Sequence, residues 1–452
     1  MKRKFLAVAA ALVIGATACG LTACGGDEGE PIDPNKTQIT VAIKNDSVEK
    51  RILANIKTAF EAENKDLQIV VKPTIGANYA QSIFNFSTTE FPDLLWSGGD
   101  THHAVSAAGK FENLQPYFER DFPNWETEFA PTSMRSARLS EDSEEIWFAP
   151  RDFNQLVVLF NKDIFANAKK YDPTIKLPTD PSYYENGRTG WTWAEFEETM
   201  RKLRALITDD SATGIGLTRT SYPLVGLLNW NPVYYTMVKG FGGEILNGTE
   251  VKIDDPGTRV ALEKIRTLTS DKLSTNNSSA FTNKLAAMQF SVRTSLAAAK
   301  ASNLNVDVAP FPVMPTHVVG AGCSGYAMSA SSEHKEGAWK LLSFMLSEEG
   351  QEIISRTQAI VPVRTSLYEK EDAAWRTSAE GVNNDAFVAN LDKVLHLNFA
   401  DGVPPANQGG VYEESNDFFY SLTDTRYAGD SGLDSLISIY KTKLQNAIAG
   451  VS

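Results

Sequence analysis

The chain has 452 residues and a mass of 49.5 kDa, a length that suits two large domains or several ordinary ones. Hydrophobic residues at 42% and charged residues at 22% are ordinary globular usage and exclude a disordered or fibrous protein. Lys+Arg 43 against Asp+Glu 56 leaves a formal net charge of −13, which repels phosphate backbones and excludes nucleic acid as a natural partner. Three cysteines are too few for a disulfide framework, and five scattered histidines lead us to expect neither a resident metal nor a cofactor.

The amino terminus reads as an address. Lys2, Arg3 and Lys4 form a basic n-region, and Phe5 to Ala18 is an apolar stretch too short to span a bilayer comfortably. Leu21-Thr22-Ala23-Cys24 resembles the bacterial lipobox, whose cysteine becomes the diacylated first residue of the mature chain; Cys19, after Ala16-Thr17-Ala18, is a second candidate. The expectation is a signal peptide over 1–23, lipidation at Cys24 and a flexible tether over 24–36, polar and without periodicity from Gly25 to Pro31. Loss of Lys2, Arg3 and Lys4 leaves 40 basic against 56 acidic residues. Cys323 then stands alone, so no disulfide is expected and stability has to come from core burial. Such a chain sits on the outer face of the bacterial cytoplasmic membrane.

In the mature chain, Ile39-Thr-Val-Ala-Ile43 and Leu67-Gln-Ile-Val-Val71 read as strands, and Ile52, Ile56 and Phe60 between them as a helix capped by Asp46 or Ser47. A unit of this length favours parallel pairing with a right-handed crossover. Phe91 to Gly98 reads as a third buried strand whose end lines a ligand crevice. Leu156 to Phe160 is another strand, and residues 171–190 are an inserted surface loop. Thr192 with Glu195 forms a capping box for a helix striped by Phe196, Met200, Leu203 and Ile207. Asn247-Gly248 signals a type I′ hairpin, and Asp255-Pro256 opens a helix carrying Leu262, Ile265 and Leu268. Val306 to Val313 and Ile360 to Val363 are extended, Gly325 to Ser329 is a strand, and Ala338, Leu341, Leu342 and Met345 stripe a helix. The tail from Ala373 reads as mostly helical, ending on the stripe Leu433, Leu436, Ile437, Tyr440 and Leu444.

In this order the segments resemble the family 1, carbohydrate-type, extracellular solute-binding proteins of ABC importers. The resemblance rests on Phe91-Pro-Asp-Leu-Leu-Trp96, Ala149-Pro150, Leu159-Phe-Asn-Lys-Asp-Ile-Phe165, Trp191-Thr-Trp193-Ala-Glu-Phe196 and Gly242-Gly243 with Glu250-Val-Lys-Ile-Asp254. Lys284-Leu-Ala-Ala-Met288 belongs to it too, with Leu285 where the family has a small residue. The most specific stretch runs from Gly322 through Ser332 to Lys340, Ser347-Glu-Glu-Gly-Gln351 and Val361-Pro362. The resemblance implies an α/β, two-lobed periplasmic-binding-protein-like fold (type II) with hinge strands and a helical C-terminal region. It places an N-lobe at 37–150 plus 312–366 and a C-lobe at 151–311 plus 367–452, with crossings near 150–156, 306–312 and 362–368. It also implies a monomer that captures a mono- or oligosaccharide between its lobes and delivers it to the permease subunits of an ABC transporter.

A sugar needs hydrogen-bonding groups for its hydroxyls and aromatic planes for its C–H faces. Carried over residue by residue, the resemblance nominates Asn45 after the first strand, Tyr79 after the second, and Trp96 and Asp100 after the third. Arg151 lies beside the first crossing. Trp230, Asn231 and Tyr234 precede the double glycine. Arg293 stands where many relatives have a glycine–tryptophan pair, a departure that hints at a polar or acidic group on the ligand. Gly322, Ser324 and Tyr412 complete the set. Trp96 and Trp230 also suit a packing role, and Cys323 reads as a packing residue with no histidine placed to activate it. A glycoside hydrolase would need a carboxylate pair that 56 acidic residues cannot single out, and no nucleophile elbow, His-Glu-x-x-His or P-loop is present. His102-His103 is unsuited to a shared metal. The chain is read as a binding protein rather than an enzyme, with glycerol phosphate, a peptide or an iron complex as the alternative cargo.

Overall fold

The computed structural model describes residues 31–72, 91–99, 101–209, 211–228 and 230–451. Strands β1 (Thr37–Ala42) and β2 (Leu67–Val71) pair in parallel, with Ile39 opposite Ile69. The helix Ser47–Glu63 between them starts at Asp46, whose carboxylate accepts the Val48 and Glu49 N–H groups, satisfying two of the donors that a helix start leaves unpaired. Its Ile52, Ile56 and Phe60 are fully buried. β3 (Leu94–Gly98) flanks β1 on the other side, also in parallel. The sheet is completed from distant chain: β14 (Ser324–Met328) runs antiparallel to β3, and β4 (Ala149–Pro150) antiparallel to β14, giving the order β2-β1-β3-β14-β4.

The second sheet has the order β10-β7-β11-β6-β12, from Ser274–Thr275, Tyr222–Val225, Ala286–Ser291, Val157–Asn161 and Val306–Pro310. Val157, Val158, Leu159 and Phe160 are all fully buried, so this strand is covered on both faces and shows no polar alternation. The helix Trp193–Thr208 packs on it through Phe196, Met200, Leu203 and Ile207, and its capping box of Thr192 and Glu195 is complete. Apolar side chains form two clusters. One fills the first sheet and continues onto one face of the second; the other fills the second sheet's opposite face together with the helices Pro405–Ser421 and Gly429–Ala449.

Between the two sheets lies a third, in the order β15 (Val361–Pro362), β5 (Asp152–Gln155), β13 (Val319–Gly322) and β16 (Val394–His396). β5 joins β4 of the first sheet to β6 of the second, and β13 leads directly into β14, so these strands carry the chain from lobe to lobe. Residues 306–310 pair with β6 along the edge of the second sheet, and β13 leads from there to the first. The tail is mostly helical, with the short strand Val394–His396 added to β13. One expectation changes. The hairpin of β8 (Leu246–Asn247) and β9 (Glu250–Val251) turns at Gly248 and Thr249, with positive φ at Gly248, the pattern of a II′ rather than a I′ turn.

The close pairing of β14 with β4 depends on Gly325. A Cβ there would stand 1.9 Å from the Ala149 carbonyl oxygen. Gly325→Ala is therefore expected to destabilise the protein by about 1–3 kcal/mol through overpacking, read as a lower urea midpoint.

Candidate ligand crevice

The loops leaving β1 and β3 face the second lobe across the hinge strands. Asn45, just beyond β1, is exposed. Trp96 on β3 is half-buried against the first core, and the Lys44 ammonium lies 5.3 Å from its ring centroid, within cation–π range. The turn after β3 is closed by the Gly98 N–H donating to Thr101 Oγ1 at 2.9 Å. From the other side comes the helix Asn231–Gly240, with Pro232 in its first turn and Trp230 at its N-cap, half-buried against the second core. This helix lies directly on β13 because residue 320 is glycine: a Cβ there would meet Thr236 Oγ1 at 2.3 Å and the Pro232 carbonyl at 3.2 Å.

The lobes also touch through polar side chains. Arg135, in the first lobe's helix Pro131–Ser136, forms an ion pair with Asp401 of the segment leading into Pro405–Ser421. The Asn398 amide donates to Nε2 of His103 at 3.0 Å. Asn398 is held in that orientation because its carbonyl oxygen accepts both the Ala400 N–H and the Tyr412 hydroxyl. Tyr412 in turn packs edge-on to Phe399 at 4.8 Å. His396, on β16, has Nδ1 at 3.4 Å from Ser136 Oγ and Nε2 at 3.9 Å from Asp401. Burial, then the Arg135 charge, pushes His103 down to about 4 and His396 down to about 3. Burial raises Asp401 to about 6 against the pull of Arg135.

The nominated residues divide into two groups. Asn45, Trp96, Trp230, Gly322, Ser324 and Tyr412 retain exposed surface around the hinge, and Asn231 sits at the first turn of its helix, 9% exposed. Ser324 is fixed by its N–H donating to Asp152 at 2.7 Å. Arg151, Tyr234 and Arg293 lie elsewhere, in the interior. Arg151 is 3% exposed and is held between Glu49 and Asp152 rather than over the crevice. Tyr234 stacks in parallel on Phe419 at 4.1 Å in the second core. Arg293 is fully buried, bonded to Asn384 and the Trp375 carbonyl and packed on the faces of Trp375 and Phe387; burial lowers it to about 9. Tyr79, Asp100 and Cys24 lie outside the described residues.

His103, Arg135, His396, Asn398 and Asp401 were not found from sequence. The only signal was the His102-His103 pair, which reads as a metal question. Both His102 ring nitrogens are within hydrogen-bond reach of partners, Ser106 Oγ and the Ser136 carbonyl, and among the described residues no group of three His, Cys, Asp or Glu is placed to hold a metal ion. A separate groove of about 930 Å³ runs past Tyr184, Arg188, Tyr368 and Arg376, but both its arginines are already paired, with Glu195 and Asp385.

Two α/β lobes on hinge strands, with partly exposed aromatics on each side of the crossing, define a hinged binding protein. Residues 45–352 match the family of bacterial extracellular solute-binding proteins, and the chain belongs to that family. Solved structures share the fold. An ABC substrate-binding protein from Listeria monocytogenes, in complex with cycloalternan, aligns with a TM-score of 0.72 at 19% identity, covering 92% of this chain and 100% of that one. The GacH receptor of Streptomyces glaucescens, solved unliganded and with acarbose, gives 0.70 at 16% over 92% and 100%. UgpB from Mycobacterium tuberculosis, in complex with glycerophosphocholine, gives 0.72 at 17% over 92% and 99%. No curated protein matches by sequence comparison. No helix among the described residues is long and apolar enough to cross a membrane.

Removing Arg151 would leave two buried carboxylates uncompensated, which typically costs about 3–5 kcal/mol. Arg151→Met should lower stability by that order in urea unfolding; an unchanged midpoint would show that the ion pairs contribute nothing.

Proposed function

We propose that this chain is the lipid-anchored receptor of an ABC importer, capturing a mono- or oligosaccharide between its lobes and presenting it to the permease as a monomer. The observation that carries the reading is the placement of aromatic side chains on both sides of a hinged crevice: Trp96 on the first lobe, Trp230 and Tyr412 on the second. Their ring faces suit sugar C–H surfaces, and Asn45, Asn231, Ser324 and the backbone at Gly322 supply hydroxyl partners. We keep Tyr79 and Asp100 in the proposed site from sequence and leave out Arg151, Tyr234 and Arg293, whose side chains are enclosed. The first lobe is proposed as 37–150 with the return beginning at β13 rather than 312, and the second as the remainder. Cys24 supplies the anchor. Ligand bridging both lobes stabilises only the closed state, and this differential affinity is what moves the equilibrium. Several of the solved relatives are complexes with oligosaccharides, which supports the cargo class.

A phosphate-bearing solute is the second reading. Lys44 stands over the Trp96 face, Nη1 of Arg135 is buried without a hydrogen-bond partner, and one solved relative is a glycerophosphocholine complex.

A thermal-shift panel separates the two: at about 100 Kd the true ligand should add roughly 2.7 kcal/mol. Stabilisation by glycerophosphodiesters with silence across all sugars would replace the first reading by the second. Trp230→Ala should weaken binding by about 1 kcal/mol or more if the ring stacks on ligand; unaltered affinity removes it from the site. Cys24→Ala should move the protein out of the membrane fraction, and retention there would refute the anchor.

A further inference from the structure

The groove of about 930 Å³ is lined by none of the residues proposed for the crevice. Its borders are the inserted loop that precedes Trp191, the segment that follows β15, and residues 383–391. These borders are held in place by bonds of their own. Gln155 of β5 donates from Nε2 to the Ala386 and Ala389 carbonyls at 3.0 and 2.8 Å. The Asn383 N–H donates to the Asp307 carboxylate on β12 at 2.7 Å, so its side chain is not spent on fixing the loop. Asn390 turns the chain with φ at 59°, a left-handed conformation that asparagine tolerates. On the facing loop the Tyr184 N–H donates to the Pro181 carbonyl at 2.9 Å. A concavity built this way exists before any ligand arrives.

Its lining chemistry selects among ligand classes. Arg188 is neutralised by Glu195 and Arg376 by Asp385, and Glu369 adds a further carboxylate. The described lining residues therefore offer no unpaired cation to a phosphate or carboxylate. Tyr184 is 37% exposed and Leu391 45%, so an aromatic ring and an aliphatic side chain both stay open to solvent here. Thr189, Asn383 and Asn390 add uncharged donors and acceptors. Tyr368 is 4% exposed, and its hydroxyl has no hydrogen-bond partner among the described residues, a costly state for a buried polar group. Ring and aliphatic surface for C–H faces, uncharged groups for hydroxyls and compensated ions together match a neutral sugar.

We propose that this groove is a second carbohydrate site, outside the crevice, that takes a neutral oligosaccharide of roughly two or three rings. It does not rest on what the crevice binds. With so much of its lining open to water it is a weak site, with a Kd on the order of 1 mM. Its use is to hold an oligosaccharide at raised local concentration on the receptor that captures it.

The test is hydrogen–deuterium exchange of the full chain, read by peptide mass spectrometry. Maltotriose, cellotriose and xylotriose are each added at about 10 mM, roughly ten times that Kd. At least one of them should slow exchange in peptides covering 184–190 and 383–391 by about threefold or more. Closure of the crevice over ligand is another route to slower exchange there, so the same sugar is titrated against two variants. Tyr184→Ala, at an exposed position, should raise the half-saturating concentration for these peptides about fivefold, and Leu391→Ala checks the opposite border independently. Trp230→Ala should leave that concentration unchanged. Protection lost in Trp230→Ala but kept in Tyr184→Ala comes from closure and overturns the second site, as does silence of these peptides with all three sugars. Protection by glycerophosphocholine or spermidine, with none by the sugars, overturns the ligand class. Slower exchange at 94–98 and 230–236 with the groove peptides unmoved would sink the second site alone. Groove protection beside a thermal-shift panel in which Trp230→Ala and the natural chain respond alike would sink the crevice assignment alone.

Discussion

The geometry depends first on one buried cation. The Arg151 guanidinium sits at the step from β4 to β5, where the chain leaves the first sheet for the hinge, and ion-pairs with Glu49 from the first helix and Asp152 from the hinge strand. Burial alone would pull an arginine's pKa down, but these two carboxylates outweigh it and hold the charge in place. Asp152, raised to about 6 by burial, also accepts the Ser324 N–H, and Tyr326 donates to Glu49 at 3.3 Å. The helix Ser47–Glu63, β5 and β14 are thereby tied to one point. Such a cluster is costly to desolvate and severe to break, so it defines where rigid lobe ends and hinge begins.

From that fixed point the crevice follows. β14 is placed by β3 and β4 and carries Ser324 at its start; β13 is continuous with it and, through Gly320, seats the helix that begins beside Trp230. The walls of the proposed crevice are thus extensions of strands whose positions packing decides, while the residues that meet between the lobes, Arg135, His103, Asn398 and Asp401, belong to short helices and connecting segments. This division suits a protein whose lobes must stay rigid while the space between them changes.

The sequence disclosed most of the elements because their signals are local. The Thr192–Glu195 capping box, the Asp46 cap, the buried stripes and the fully apolar β6 are periodicities or short-range bonds that need no tertiary context. What it did not disclose is non-local. Whether 306–312 crosses or joins an edge depends on the five-residue register with β6, and Val394–His396 becomes a strand only because β13 offers it an edge. Among site residues, Trp96 and Trp230 suited either ligand contact or packing in the sequence, and both are half-buried. The burial of Arg151 and Arg293 was not legible, because an arginine's sequence neighbours do not reveal a carboxylate a hundred residues away or a pair of aromatic faces. The polar contacts joining the lobes pair α-helical and loop residues separated by more than 250 positions, and no short motif marks them.

The first sheet's order has a consequence for biogenesis. β3 has no neighbour on its outer side until residues 324–328 have been made, so a nascent chain presents an apolar, hydrogen-bond-hungry border throughout the intervening synthesis. Non-local closure of this kind is slow and aggregation-prone, and folding of this protein should depend on factors that shield that border until the returning strand arrives.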